Sequence, residues 1–206
     1  MIHELITFKE ASLLVWELTE NVETLKNQLN LMDSETTLFN KIVSEKRKLE
    51  FLGIRVALNK LIGKEIQIQY DEEGKPHLFD NSYQISVSHS NKWLAVIAHP
   101  TQKVGIDIEC PTDKIKNLYT RFLSKTEQKE LSGGEDIRQL LLAWSAKEAL
   151  YKIIGKEAID FANQLRIFPF QVNSSGEMLA QHLPTTTYYK LSYQQNEKFT
   201  LVYCLT

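Results

Sequence analysis

Cysteine is scarce in this chain, with two among 206 residues. Cys110 and Cys204 lack the spacing of a zinc site or of a disulfide framework, and this usage points to the reducing cytoplasm. Cys204 lies in an apolar run and reads as a small core residue. No apolar stretch approaches the ~20 residues that a membrane helix needs. Glu4, Glu10, Glu17 and Glu20 interrupt the first twenty residues, which argues against a secretory signal. Charge of one sign is also missing: the net charge is −2, which excludes a bulk electrostatic footprint for nucleic acid. No low-complexity linker divides the chain, and the phosphate loop G-x-x-x-x-G-K-[ST] occurs nowhere.

What remains is an ordinary globular composition, 43% hydrophobic and 24% charged, in one large domain or two subdomains. Residues 4–8 and 13–18 are apolar enough for strands. Ser34 can cap a helix running to about Leu61, which Gly53 weakens and could split. Strands are expected at Ile66–Tyr70, Tyr83–Ser88, Trp93–Ala98 and Val104–Glu109. A helix follows at Ile115–Phe122, and Ser124-Lys-Thr-Glu127 matches a capping box. Ser132–Gly134 reads as a loop, and Ile137–Ile154 as a long helix. Leu165–Phe170, Tyr188–Tyr193 and Phe199–Leu205 complete the strands. A long helix followed by three strands thus appears twice. The reading is an α+β fold of two similar halves, 1–102 and 103–206, each a long helix with a three-stranded antiparallel sheet. Two halves without a linker suggest a cleft between them for a ligand.

The chemistry concentrates in a few short stretches. In Val104–Glu109, strand alternation puts Gly105, Asp107 and Glu109 on one side and three branched residues on the other. Two carboxylates so placed can share a cation. In Trp144-Ser-Ala-Lys-Glu148-Ala-Leu-Tyr-Lys152, Glu148 and Lys152 stand one helical turn apart on one face. Adding Glu148 to Asp107 and Glu109 gives an oxygen-only donor set without His or Cys, suited to Mg²⁺ rather than zinc. Ser88-His89-Ser90 emerges at a strand end, where a histidine flanked by hydroxyls can donate to phosphate. In Gly74-Lys75-Pro76, the proline fixes the exit of a turn and limits the directions open to Lys75. Three carboxylates, two lysines and a histidine are the inventory for holding a metal-bound pyrophosphate.

Gly74–Pro76, Ser88–Ser90, Gly105–Glu109, Phe122–Glu127 and Trp144–Lys152 occur in the order and spacing of the surfactin-synthetase-activating (Sfp-type) 4′-phosphopantetheinyl transferases. The resemblance spans roughly residues 44–155. It implies two α+β halves related by pseudo-twofold symmetry, with coenzyme A bound between them. It implies that Asp107, Glu109 and Glu148 hold Mg²⁺ on the pyrophosphate of coenzyme A, and that Lys152 neutralises the same group. Lys75, Pro76, Ser88 and His89 would meet the nucleotide part, with His89 near the 3′-phosphate. Arg55 resembles the family's basic residue at that phosphate, and Arg47 is a second candidate. The implied activity moves 4′-phosphopantetheine from coenzyme A to a serine of an apo acyl or peptidyl carrier protein, releasing 3′,5′-ADP. Glu148 is the first candidate for the base that takes the serine proton, Glu109 the second and Glu127 the third. Lys114, Lys116, Arg121 and Lys125, with Phe122 and Leu123, form a candidate surface for an acidic carrier. A cytoplasmic monomer without nucleic-acid or membrane partners is expected. The alternatives are a Mg²⁺-dependent phosphohydrolase acting on a nucleotide or phosphoester, and a binding module without catalysis.

Overall fold

The computed structural model describes residues 2–8, 10–155 and 159–206, the side chains of residues 2, 3, 8 and 132 aside. The chain separates into two compact units, Met1–Lys103 and Val104–Thr206. Both mix helix and sheet, so the fold class is α+β.

In the first unit, β1 (Ile2–Phe8), β2 (Ala11–Glu17), β5 (Gln84–Ser90) and β6 (Trp93–His99) form an antiparallel sheet in the order β1-β2-β6-β5. A separate two-stranded ribbon pairs β3 (Ile68–Tyr70) with β4 (Pro76–Leu78). Three helices accompany them: α1 (Val22–Lys26), α2 (Asp33–Lys41) and α3 (Glu45–Ile62). The expected helix from Ser34 to Leu61 is therefore two helices, and the break falls at residues 42–44 rather than at Gly53. Ile42 turns extended, and Ser44 then accepts a hydrogen bond from the Arg47 amide as the N-cap of α3. Gly53 stays helical because it is a packing position: a Cβ there would stand 2.8 Å from Leu18 Cδ2. Leu52, Val56, Ala57 and Leu58 of α3 join Leu14, Leu94 and Val96 in this unit's core.

In the second unit the sheet has five strands rather than three. Its order is β7 (Val104–Glu109), β11 (Thr200–Leu205), β10 (Thr187–Gln195), β9 (Ser175–His182) and β8 (Leu165–Ile167), with each neighbouring pair antiparallel. Short helices α4 (Tyr119–Phe122), α5 (Lys125–Glu130) and α7 (Phe161–Gln164) surround α6 (Ile137–Ile154). Asp136 caps α6 through its carboxylate and Gly155 ends it in the left-handed conformation, φ 59°. α6 lies across β7 and β11. Leu142, Ala146, Ala149 and Leu150 are buried in a core with Val202 and Cys204. Burial pushes the Cys204 thiol up to about 12, as befits an inert core residue. Among the described residues, no helix is long and apolar enough to cross a membrane.

Candidate active site

β7 and α6 build the site because two periodicities match. Two residues along a strand advance about 6.7 Å, and four along a helix advance about 6 Å. The series 105, 107, 109 therefore runs past the series 152, 148, 144 nearly in step. Three observations mark the alignment. Trp144 Nε1 donates to Glu109 Oε1 at 3.3 Å. Lys152 Nζ donates to Asp107 Oδ1 at 3.0 Å and to the Ile106 carbonyl at 2.7 Å. A Cβ on Gly105 would fall 2.1 Å from the Ala149 carbonyl oxygen. Glycine is thus required at 105 for close approach, and the approach is what brings the strand's carboxylates to the helix. Gly105→Ala is expected to lower stability by about 1–3 kcal/mol through overpacking against backbone that cannot yield. Chemical denaturation checks this, and an unchanged midpoint would refute the close-approach role.

Glu148 lies between these contacts. Its carboxyl is pushed up to about 7 by burial first, then by the charge of Asp107; Lys152 opposes the rise, and Glu109 adds to it. Three carboxylates therefore share one electrostatic neighbourhood. Asp107 is nearly enclosed, at 4% exposure. A hard divalent cation would relieve the repulsion, and these oxygen donors suit Mg²⁺. Among the described residues, no group of three His, Cys, Asp or Glu side chains stands ready as a metal cage. Mg²⁺ does not demand one, since it keeps several waters and takes further oxygens from phosphate. The donor chemistry fits such an ion. Beside Glu148 lies a cavity of about 440 Å³, walled by Leu118, Phe122, Trp144, Ile159 and Phe161, with Arg121 and Asp160 also in its lining.

The comparisons with known proteins point the same way. Residues 103–204 match the 4′-phosphopantetheinyl transferase superfamily. That match covers nearly the whole of the second unit. Three curated relatives agree with it. A putative 4′-phosphopantetheinyl transferase of Haemophilus influenzae is 32% identical over 127 residues, covering 55% of this chain and 52% of the relative. The 4′-phosphopantetheinyl transferase Sfp of Bacillus subtilis is 33% identical over 96 residues, 45% of this chain and 42% of the relative. A phosphopantetheinyl transferase of Thraustochytrium is 28% identical over 134 residues, 56% and 46% of the two chains. The chain spans about half the length of these curated relatives.

Within the matched stretch, Asp107, Glu109, Glu148 and Lys152 stand together on the facing sides of β7 and α6. The remaining expected residues, Arg47, Arg55, Lys75, Pro76, Ser88 and His89, belong to the first unit. Arg47 is exposed on the first turn of α3. His89 is exposed on β5, with Nδ1 3.4 Å from Glu50 Oε1 of α3. Ser88, at 7% exposure, points to the opposite side of that strand, as alternation demands. Lys75 follows Gly74, whose φ of 81° makes the turn. Although Lys75 is exposed overall, desolvation of its ammonium and the charge of Lys103 hold it below the ordinary lysine value.

Arg55 corrects the sequence reading. It is 1% exposed, pairs with Glu35 at 2.8 Å and donates to the Phe51 carbonyl at 3.0 Å. Its guanidinium also stacks over the Phe51 ring, 3.4 Å from the centroid. These contacts tie α2 to α3, so Arg55 is a core cation and not a surface phosphate ligand. Glu127 likewise leaves the list of bases. It is fully enclosed, accepts from the amides of Ser124 and Ile167, and pairs with Lys147 at 2.8 Å. Phe122 and Leu123, expected to offer apolar contacts to a carrier, are core residues at 1% exposure each. Leu118 is the exposed apolar residue beside the basic cluster.

Sequence reasoning missed Trp144 as the partner of Glu109. Its signal was available: 144, 148 and 152 are spaced four apart, on one helical face. It missed Lys147 as well, although Ala143, Ala146 and Leu150 place position 147 on the apolar side of α6.

Proposed function

We propose that this protein transfers 4′-phosphopantetheine from coenzyme A to a serine of an apo acyl or peptidyl carrier protein, releasing 3′,5′-ADP. The observation that carries the reading is the meeting of Asp107, Glu109, Glu148 and Lys152 between β7 and α6, inside the stretch that matches that superfamily. In the transfer, the serine oxygen bonds to the phosphorus that carries pantetheine, and the bond from that phosphorus to the bridging oxygen breaks. The serine proton goes to a carboxylate oxygen of Glu148. Burial and the neighbouring carboxylates make this oxygen more ready to take a proton than an ordinary carboxylate, as a general base requires. Glu109 is the second candidate for that role. Negative charge growing on the 3′,5′-ADP oxygen is met by the ammonium of Lys152, a partly buried side chain beside Asp107.

Asp107, Glu109 and Glu148 would hold Mg²⁺, which when bound supplies positive charge at the pyrophosphate. The largely apolar cavity beside Glu148 suits the uncharged pantetheine arm. For the nucleotide we retain Arg47, Lys75, Pro76, Ser88 and His89, with His89 at the 3′-phosphate, and drop Arg55. Lys114, Lys116, Arg121 and Lys125 are all exposed and would attract an acidic carrier, acting mainly on the association rate. The reading takes the protein to act as a cytoplasmic monomer.

Incubation with coenzyme A, Mg²⁺ and a panel of apo carriers, read by intact mass, tests the proposal. A carrier should gain one phosphopantetheine, and 3′,5′-ADP should appear only when carrier is present. Nucleotide release without carrier would instead identify a phosphohydrolase, and neither product a binding module. In the same assay, wild-type protein should prefer coenzyme A to dephospho-coenzyme A. His89→Ala should raise KM for coenzyme A and lose part of that preference. An undiminished preference would place His89 elsewhere.

A further inference from the structure

Asp107 and Lys152 raise a question that the transfer reaction leaves open. The Asp107 carboxylate is buried, and a buried charge requires a compensating partner. The Lys152 ammonium, 3.0 Å from Oδ1, is such a partner. A divalent cation on the same oxygen would stand beside a positive charge at close range, where like charges repel strongly. Both cations cannot keep that position. One of them can leave: the Lys152 side chain is 24% exposed and hangs on a flexible four-carbon stem, whereas that of Asp107 is 6% exposed and fixed on β7.

We infer that Lys152 is a resident counter-ion, which holds Asp107 neutralised until a divalent cation displaces it. Displacement frees the ammonium from Asp107 and turns it to the anionic ligand. The inference rests on the transferase reading only for what Lys152 meets after release; the exchange at Asp107 concerns the metal alone. Two consequences follow. The resident ammonium weakens binding of a metal offered by itself. It also links metal and anionic ligand, because a pyrophosphate gives the displaced ammonium a new partner, and each binding event then favours the other.

Two measurements without coenzyme A or carrier test the exchange. In the first, Mg²⁺ binding is titrated calorimetrically to wild-type protein, Lys152→Met and Lys152→Arg. The methionine variant should bind Mg²⁺ about tenfold more tightly, within the usual range for such coupling, while the arginine variant stays near wild type. The same Lys152→Met protein should lose most transfer activity, so affinity and turnover move in opposite directions. In the second, wild-type lysines are reductively methylated and read by peptide mass spectrometry. Saturating Mg²⁺ should speed labelling of Lys152 severalfold and leave that of Lys116 unchanged. Because this readout uses the wild-type sequence, it stands whether or not the variants fold. Equal or weaker Mg²⁺ binding by Lys152→Met, labelling of Lys152 indifferent to Mg²⁺, or no saturable binding to either protein would each overturn the inference. Metal exchange seen in a protein that modifies no carrier would refute the transferase reading and leave the exchange intact.

Discussion

Lys147→Met is expected to lower stability by about 3–5 kcal/mol, the usual cost of stranding the partner of a buried ion pair. Lys147 is fully enclosed, and its ammonium donates to the carbonyls of Phe122, Phe161 and Leu165 at 2.7–2.8 Å. Its fourth partner is Glu127, with contacts of 2.8 and 2.9 Å to the two carboxylate oxygens. Desolvation holds the ammonium below the ordinary lysine value, and the charge of Glu127 works against that shift. Methionine keeps the volume and removes the charge. Three carbonyls then lose a donor, and the Glu127 carboxylate remains buried with only amide partners. Those amides matter, because Ser124 is the cap of α5 and Ile167 ends β8, the edge strand of the sheet. One pair therefore joins α6, α5, α7 and β8. Denaturant midpoints check the figure. Adding Glu127→Gln to Lys147→Met should recover part of the loss, since it removes the stranded charge. A single-variant loss below about 1 kcal/mol would show that the pair is dispensable, contrary to the burial argument.

The same pair shows why some of the fold was legible in sequence and some was not. α6 was readable from Ile137 to Ile154 because a long apolar period ends at Gly155, and β7 because its alternation is clean. The capping box at Ser124 and Glu127 was readable because it is local. β9 was not: Ser175-Gly-Glu-Met-Leu-Ala-Gln-His has little strand propensity, and it is a strand because β8 and β10 flank it. β4, which contains Pro76, is likewise defined by its partner β3. Arg55, Glu127 and Lys147 were misread or missed for one reason. A charged residue on a helix is by default a surface residue, and only its partner reveals the exception. Glu35 lies 20 positions before Arg55, and Glu127 20 before Lys147. Neither separation is a helical or strand period, so no local pattern announces the pairs. Asp107, Glu109, Glu148 and Lys152 were legible because both of their elements were, with every side chain on the face that its period assigns.

Glu148→Gln is the variant that separates chemistry from packing. On the proposed function it removes the base, and carrier modification should fall about 10²–10⁴-fold. Its effect on stability should have the opposite sign. The Glu148 carboxyl lies near 7 in the folded protein and at 4.5 ordinarily, so between those values the folded state holds more protons than the unfolded one. Stability therefore falls as pH rises through that window. At pH 8 the folded protein carries an ionised Glu148 at a cost on the order of 2 kcal/mol, allowing for its partial exposure. Glutamine never ionises and escapes that cost. The variant should match wild type near pH 4 and exceed it near pH 8, with most of the divergence between pH 5 and 7. Mg²⁺ on these carboxylates lowers the Glu148 value, so the acid limb of wild-type turnover should lie below the stability window, and the variant's residual rate should lack that limb. Denaturation midpoints and initial rates on one set of buffers supply both profiles. A glutamine variant with parallel stability at all pH values would show that burial and the neighbouring carboxylates do not strain Glu148. Near-wild-type turnover would pass the role of base to Glu109, the other carboxylate on this face of β7.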